Sequence, residues 1–148
     1  MKAMKRLAVV GAIAFLMPGC ASSGETASQA RATSEQGSRI ASTGIVPGVV
    51  DGEVAHTLVV AGIKVVDVRT PAEFESGHVP GAANIPYDEM ARRYGELGPT
   101  STAVLIYCKT GRRSGLATTT LRENGFTQIY DLQSYDNWVL ADATSAVR

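Results

Sequence analysis

The sequence has little material for disulfide cross-links, for a membrane-spanning helix or for binding nucleic acid. Cysteine occurs only twice among 148 residues, as Cys20 and Cys108, so the chain is not a disulfide-stapled scaffold. Its most apolar segment, residues 7–17, is too short to cross a bilayer as a helix. Basic and acidic residues number 14 each, so the chain lacks the positive excess with which proteins attract nucleic acid. A single domain of ordinary size fits this length.

The first 19 residues have the pattern of a signal peptide. Two lysines and an arginine within the first six residues precede the apolar segment 7–17. The following Met17-Pro18-Gly19-Cys20 resembles a bacterial lipoprotein cleavage box, although Met17 stands where leucine is commonest and Pro18 is unusual. Ordinary signal-peptide cleavage nearby is the competing interpretation. The resemblance implies that Cys20 carries the lipid and that the exported protein is membrane-anchored, facing the periplasm or the cell surface.

Residues 20–44 are predicted to be a flexible tether. They are rich in Ser, Ala, Thr, Gly and Gln without periodicity, and such a segment buries too little apolar surface to fold. A tether of this length has a reach of roughly 25–30 Å. The folded domain is predicted over residues 45–142, with a short tail over residues 143–148. After removal of the signal peptide with its three basic residues, the chain has 11 basic and 14 acidic residues. The basic cluster at 109–113 is therefore a local feature of a slightly acidic chain.

The most informative stretch is residues 103–115. It begins with an apolar run ending at Cys108, which is typical of a strand buried on both faces, and continues as a polar loop. A helical composition follows Ser114 and ends at Gly125. A thiol at such a strand–loop–helix junction faces backbone N–H groups that lower its pKa and make it nucleophilic. The alternative is that Cys108 is a small buried hydrophobic residue at a strand end.

Two motifs give this stretch a family resemblance. Cys108-x-x-Gly111-x-Arg113-Ser114 resembles the active-site loop of single-domain rhodaneses, which are thiosulfate sulfurtransferases. Residues 67–86, DVRTPAEFESGHVPGAANIP, are similar to that family's second signature nearly position for position. The similarity extends from about residue 46 to residue 140 and implies the rhodanese fold.

The order of predicted elements agrees with that fold. Buried strands are predicted at 64–68, 103–108 and 128–132, with a short edge strand at 83–85, and helices at 51–61, 88–94, 114–124 and 136–140. Asp51 is a suitable N-cap, and Thr70-Pro71-Ala72-Glu73 is a capping box with proline at the first helical position. Strands alternating with helices predict an open, mostly parallel α/β sheet with helices on both faces. Its ligand site is then expected at the carboxyl ends of the strands.

The resemblance implies a sulfur-transfer reaction at Cys108, without a cofactor or metal. The Cys108 thiolate takes the outer sulfur of thiosulfate or a similar donor as a persulfide, which cyanide or a thiol then accepts. Inward-pointing N–H groups of the loop, from Lys109 through Thr110 and Gly111 to Arg113, are expected to stabilise the persulfide. The side chains of Lys109 and Arg112 are candidates for attracting the anionic donor.

The remaining polar residues of the two motifs are expected to support the site. Arg113 is predicted to brace the loop as much as to contact substrate. Asp67 and Arg69 are predicted to hold neighbouring loops in place. His78 is assigned a structural role because a thiolate that is already formed needs no base, and His56 is expected to be solvated and idle.

Two alternatives and one departure bear on this function. Cysteine phosphatases have arginine six residues after the cysteine, whereas here Ser114 occupies that position and arginine lies at 113, which disfavours phosphatase chemistry. A rhodanese-like module that binds a partner or senses oxidation through Cys108, with little turnover, is the other possibility. The departure is Leu132-Gln133-Ser134-Tyr135, where the family usually has Leu-x-Gly-Gly. Side chains thus replace glycines at the expected mouth of the site.

Overall fold

The protein is an α/β domain built on a five-stranded sheet in which every pair of neighbouring strands is parallel. The computed structural model describes residues 39–40 and 42–145. The strands are β1 (Gly48–Val49), β2 (Lys64–Asp67), β3 (Ala83–Asn84), β4 (Val104–Cys108) and β5 (Ile129–Ser134), in the order β1-β5-β4-β2-β3. The buried central strands β4 and β2 therefore place Cys108 and Asp67 at the same edge of the sheet. The predicted parallel α/β sheet is confirmed.

Helices connect the strands. They are α1 (Gly52–Val60), α2 (Pro71–Glu75), α3 (Met90–Arg93), α4 (Arg112–Glu123) and α5 (Tyr135–Ser145), with a 3-10 turn over Tyr94–Leu97. The local signals act as predicted. The Asp51 carboxylate caps α1 by accepting from the N–H of Val54, and the side chains of Thr70 and Glu73 form a reciprocal capping box at α2.

Side chains alternate between the two faces of the sheet, and helices cover both faces. Val65, Leu105 and Tyr107 pack into one core with α1 and α5, whereas Val66, Ile106 and Cys108 pack into the other with α3 and α4. This alternation follows from the two-residue period of a strand. It turns Cys108 toward the face that α4 covers.

The contact between α1 and α5 corrects one prediction. His56 is not idle: its ring stacks on Trp138 with centroids 3.6 Å apart, and its Nε2 lies 3.4 Å from the carbonyl oxygen of Trp138. The helices come together closely at Gly52, where an added Cβ would lie 2.3 Å from the backbone oxygen of Asn137. Glycine at position 52 therefore allows the backbones to approach, and that approach brings the two rings together.

Several boundaries differ from the prediction. Strand β1 was not predicted, α4 begins at Arg112 rather than Ser114, and β5 and α5 extend further than expected. The ordered domain also begins before residue 45, because Ile40, assigned to the tether, is 2% exposed and packs in the core with α1 and α5. The Ile40 side chain thus belongs to the core of the domain.

Some predictions concern the N-terminal end of the chain. The signal peptide at 1–19, the lipid attachment at Cys20 and most of the predicted tether lie outside the described residues. Within residues 39–40 and 42–145, none of the helices is long and apolar enough to span a membrane.

Candidate active site

The site is centred on Cys108, the last residue of β4. Its side chain is 0% exposed, and its Sγ accepts a hydrogen bond from the backbone N–H of Gly111 at 3.1 Å. The chain can turn back over the sulfur because Gly111 has φ +89°, a left-handed conformation in which a side chain would be strained. Gly111 is also the N-cap of α4, so the helix begins directly above the thiol. The predicted strand–loop–helix junction is present.

Backbone N–H groups lower the pKa of the Cys108 thiol. Burial alone would raise this pKa, but hydrogen bonds from the backbone N–H groups of Ser114, Thr110 and Gly111 act together in the opposite direction and prevail. The result is a thiol pKa below its ordinary value. A thiolate surrounded by N–H donors at a helix start is a stabilised nucleophile.

Arg113 braces the loop through an ion pair with Glu73, a residue whose part in the site was missed. Its guanidinium donates hydrogen bonds of 2.7 and 2.8 Å to the two carboxylate oxygens. These bonds hold the pKa of Glu73 at about 2, mainly because Arg113 donates to the carboxylate and partly because of Thr70. The capping box thus fixes Glu73, and Glu73 fixes Arg113. Arg113 thus links the loop to α2, and its predicted double role, as a brace and as a contact to substrate, stays a prediction.

The other predicted loop residues form a solvent-exposed rim. Lys109, Thr110 and Arg112 are all exposed. In the described part of the chain, the charged ends of Lys109 and Arg112 have no ion-pair or hydrogen-bond partner. They are therefore available to an anion that approaches Cys108.

Asp67 and Arg69 form a buried ion pair beside the Cys108 strand. The Arg69 guanidinium donates to Asp67 Oδ2 at 2.6 Å and to the carbonyl oxygen of Gly77, also at 2.6 Å. Burial opposes its positive charge, but the bond and the charge of Asp67 raise the pKa of Arg69 overall. The pair ties the end of β2 to the segment after α2. These contacts are compatible with a supporting role for Asp67 and Arg69, which stays a prediction.

Two tyrosines complete this support, and neither was predicted. The guanidinium of Arg69 lies over the ring of Tyr135 at 4.6 Å and over that of Tyr107 at 5.5 Å. The Tyr107 hydroxyl accepts from the backbone N–H of Val79 at 3.0 Å, and burial raises the pKa of the phenol. Tyr107 precedes Cys108 in β4 and faces the opposite core. The cluster of Arg69, Tyr107 and Tyr135 therefore holds β4 in place from the face of the sheet opposite to Cys108.

His78, for which a structural role was predicted, packs on α2. Its ring stacks on Phe74 with centroids 3.8 Å apart, and its Nδ1 lies 3.0 Å from the carbonyl oxygen of Phe74. The ring thus packs on α2 rather than on Cys108. Among the described residues, no group of three or more His, Cys, Asp or Glu side chains is arranged to hold a metal ion.

The departure at the end of β5 has a defined geometry. The register of β4 and β5 shifts after Ile106, which pairs with Asp131, whereas Tyr107 pairs with Gln133. Gln133 has φ +69°, and its N–H donates to Asp131 Oδ1 at 2.8 Å. The bulge turns Gln133 toward the Cys108 loop, where its Cβ lies 3.3 Å from the position of a Cβ built on Gly111.

Comparison with known proteins identifies related sequences. Residues 52–141 match the family of the rhodanese-like domain. The chain is 36% identical over 109 residues to thiosulfate sulfurtransferase 16 of Arabidopsis thaliana chloroplasts, a match covering 63% of this chain and 88% of that protein. It is 45% identical over 76 residues to the uncharacterized Bacillus subtilis protein YqhL, a match covering 51% of this chain and 60% of that relative.

A solved structure gives the same fold. The human single-domain sulfurtransferase TSTD1 superposes with a TM-score of 0.54 at 23% identity, over 65% of this chain and 96% of that one. At that identity the likeness concerns the fold. The matched range contains both sequence motifs, the buried cysteine and the loop that encloses it. The chain therefore belongs to the rhodanese-like domain family.

Proposed function

We propose that this protein is a sulfurtransferase that moves sulfane sulfur from thiosulfate, or a similar donor, to a thiophilic acceptor such as cyanide or a thiol. The observation that carries the proposal is the environment of Cys108. A buried thiol with a lowered pKa lies at the carboxyl end of a central strand, beneath the N–H groups of Thr110, Gly111 and Ser114. This environment stabilises negative charge on sulfur, which both the nucleophile and the intermediate carry.

The first half-reaction is a displacement at sulfur. The Cys108 thiolate attacks the outer sulfur of thiosulfate, a new S–S bond forms, and the bond to the sulfonate sulfur breaks. Its electron pair leaves with sulfite, and the persulfide keeps a negative charge on its terminal sulfur. In the second half-reaction cyanide or a thiolate attacks that terminal sulfur, and the electron pair returns to Cys108.

The rim of the loop suits an anionic donor. Thiosulfate carries two negative charges, and Lys109 and Arg112 supply two exposed cations close to Cys108. Such charges increase the local concentration of an anion and act over about 10 Å at 0.1 M salt. Arg113 differs from them because its guanidinium is already engaged by Glu73. Its contribution is a rigid loop that keeps the N–H groups aimed at the sulfur.

We also propose that the domain is held at a membrane by a lipid on Cys20. This proposal depends on the sequence alone: a charged start, an apolar segment and the lipobox-like residues 17–20. The wild-type protein should partition into detergent and incorporate labelled fatty acid, whereas Cys20→Ser should do neither. An unlabelled wild-type product cleaved elsewhere would contradict the lipid anchor and leave the catalytic proposal standing.

The two cysteines provide a matched test of the catalytic proposal. The full chain is assayed in detergent for thiocyanate formation from thiosulfate and cyanide. Cys108→Ser should abolish turnover, and Cys20→Ser should retain it, because only Cys108 lies in the loop. Turnover that survives Cys108→Ser would reject the assignment. A wild-type protein without turnover, whose Cys108 oxidises reversibly, would favour the partner-binding or redox-sensing module.

A further inference from the structure

Gln133 lies beside the Cys108 loop in a backbone conformation that glutamine rarely adopts. Its φ of +69° makes it the single non-glycine residue with positive φ in the described part of the chain. Asp131 holds this conformation by accepting the N–H of Gln133, which pairs with Tyr107 directly after the shift in register between β4 and β5. A left-handed conformation is unfavourable for a residue with a side chain, because the Cβ lies too close to the following carbonyl oxygen. This unfavourable conformation occurs next to the loop of the nucleophile Cys108.

The side chain of Gln133 runs along the glycine that donates to the sulfur. A Cβ built on Gly111 would lie 3.3 Å from Cβ and 3.8 Å from Nε2 of Gln133. The backbone N–H of the same Gly111 donates to Cys108 Sγ at 3.1 Å. Gln133 is exposed, and its carboxamide has no hydrogen-bond partner among residues 39–40 and 42–145. An uncommitted N–H donor thus lies at the mouth of the loop.

We propose that Gln133 is a specificity-determining residue that donates hydrogen bonds to the sulfonyl oxygens of the sulfur donor. The inference rests on the proposed sulfurtransferase function and narrows its substrate class. The favoured donor carries oxygen atoms on the sulfur next to the transferred one, as thiosulfate and thiosulfonates do. Polysulfides and persulfides transfer the same sulfane sulfur but offer no oxygen to the carboxamide.

The chemistry of the displacement gives this hydrogen bond a role in the rate. When the Cys108 thiolate bonds to the outer sulfur, the electron pair of the breaking S–S bond moves onto the departing sulfite. Negative charge on the sulfite oxygens therefore increases in the transition state. A carboxamide N–H that contacts these oxygens binds the transition state more strongly than the donor in its ground state, which raises the rate of the chemical step.

Two substitutions separate the carboxamide from the backbone conformation. Gln133→Gly removes the carboxamide and relieves the left-handed strain, whereas Gln133→Met removes the carboxamide and keeps an unbranched side chain. Thr127→Ala is the control, because Thr127 is exposed and lies just before the start of β5, at the end of the strand far from Gln133. The full chain is treated with thiosulfate or inorganic polysulfide, and the rate of Cys108 persulfide formation is followed by mass spectrometry.

With thiosulfate, both Gln133 variants should form the Cys108 persulfide about tenfold more slowly than the wild type. This factor corresponds to the lower end of the free-energy range for a hydrogen bond to a charged group. Their loading rate with polysulfide should stay within about twofold of the wild type, as should that of Thr127→Ala with either donor. Equal losses with both donors, no loss, or a loss confined to Gln133→Gly would overturn the proposal for Gln133.

The wild-type rates distinguish the failure of this inference from that of the proposed function. A wild-type chain that is loaded by polysulfide but not by thiosulfate would reject the sulfonyl specificity and leave sulfur transfer through Cys108 in place. A wild-type chain that neither donor loads would reject both.

Discussion

Replacing Glu73 with glutamine tests the brace that joins the Cys108 loop to α2. Glutamine can still form the capping box with Thr70, so the helix start is preserved while the charge opposite Arg113 is lost. The chain separates the two partners by 40 residues. The effect of the substitution therefore measures a tertiary contact of the candidate active site.

The geometry of the ion pair sets the coupling energy expected between Glu73 and Arg113. Both carboxylate oxygens accept from Arg113, at 2.7 and 2.8 Å, and the two side chains are only 23% and 27% exposed. A fall in the pKa of Glu73 from 4.5 to about 2 corresponds to roughly 3 kcal/mol of total stabilisation of the carboxylate. Thr70 contributes part of this shift, and water still reaches both groups. We therefore expect a coupling energy of about 1–2 kcal/mol between Glu73 and Arg113.

The assay is a double-mutant cycle of Glu73→Gln and Arg113→Gln, measured by urea unfolding. The pKa of Glu73 is lower in the folded than in the unfolded state, so its contribution to stability is present above pH 4.5 and is lost as the pH falls toward about 2. The stability difference between wild type and Glu73→Gln should therefore shrink by more than half between pH 7 and pH 3. Glu73→Gln should also lower kcat several-fold, because a loosened Arg113 misaligns the loop N–H groups.

Two results would contradict a strong ion pair between Glu73 and Arg113. A coupling energy below about 0.3 kcal/mol at pH 7 would show that the ion pair contributes no more than a weak surface pair. A stability difference that persists unchanged at pH 3 would show that it does not arise from the charge of Glu73. Each result is obtained from the same unfolding curves.

Two further predictions concern the rim of the loop and the contact between α1 and α5. Lys109→Ala and Arg112→Ala should raise KM for thiosulfate, and the rise should be larger at low salt than at high salt. The pH at which a neutral reagent alkylates Cys108 at half its maximal rate should move by only a fraction of a unit. A movement of more than about one unit would show that side-chain charge activates the thiol. Gly52→Ala should lower the free energy of unfolding by about 2–3 kcal/mol, because its Cβ would lie 2.5 Å from that of Ala141; wild-type stability in urea would contradict this packing.

The sequence was sufficient to predict the fold because its signals are local. Apolar runs identify β2 and β4 as buried strands, and the Thr70 capping box and the Asp51 N-cap define helix starts through contacts three residues apart. The position of Cys108 at the end of β4 follows from the same runs. The stacking of His56 on Trp138 could not be predicted in this way, since it depends on how α5 packs against α1, 82 residues away in the chain.

In the candidate site, too, local interactions could be predicted from the sequence and long-range contacts could not. Cys108 and Gly111 are three residues apart, so the loop motif contains their interaction. Glu73 was identified only as the partner of Thr70, because no local pattern shows that its carboxylate also binds Arg113. The conformation of Gln133 has no signal in its own residue type, because glutamine rarely has positive φ and the turn depends on the register between two strands.

Intact-mass analysis of the full chain shows whether Cys108 carries the transferred sulfur. After incubation with thiosulfate, the wild-type protein should gain the mass of one sulfur atom, about 32 Da, and cyanide should remove it. Cys108→Ala should show neither change. A sulfur adduct that persists in Cys108→Ala, or a wild-type chain that gains no mass, would show that Cys108 does not carry the transferred sulfur.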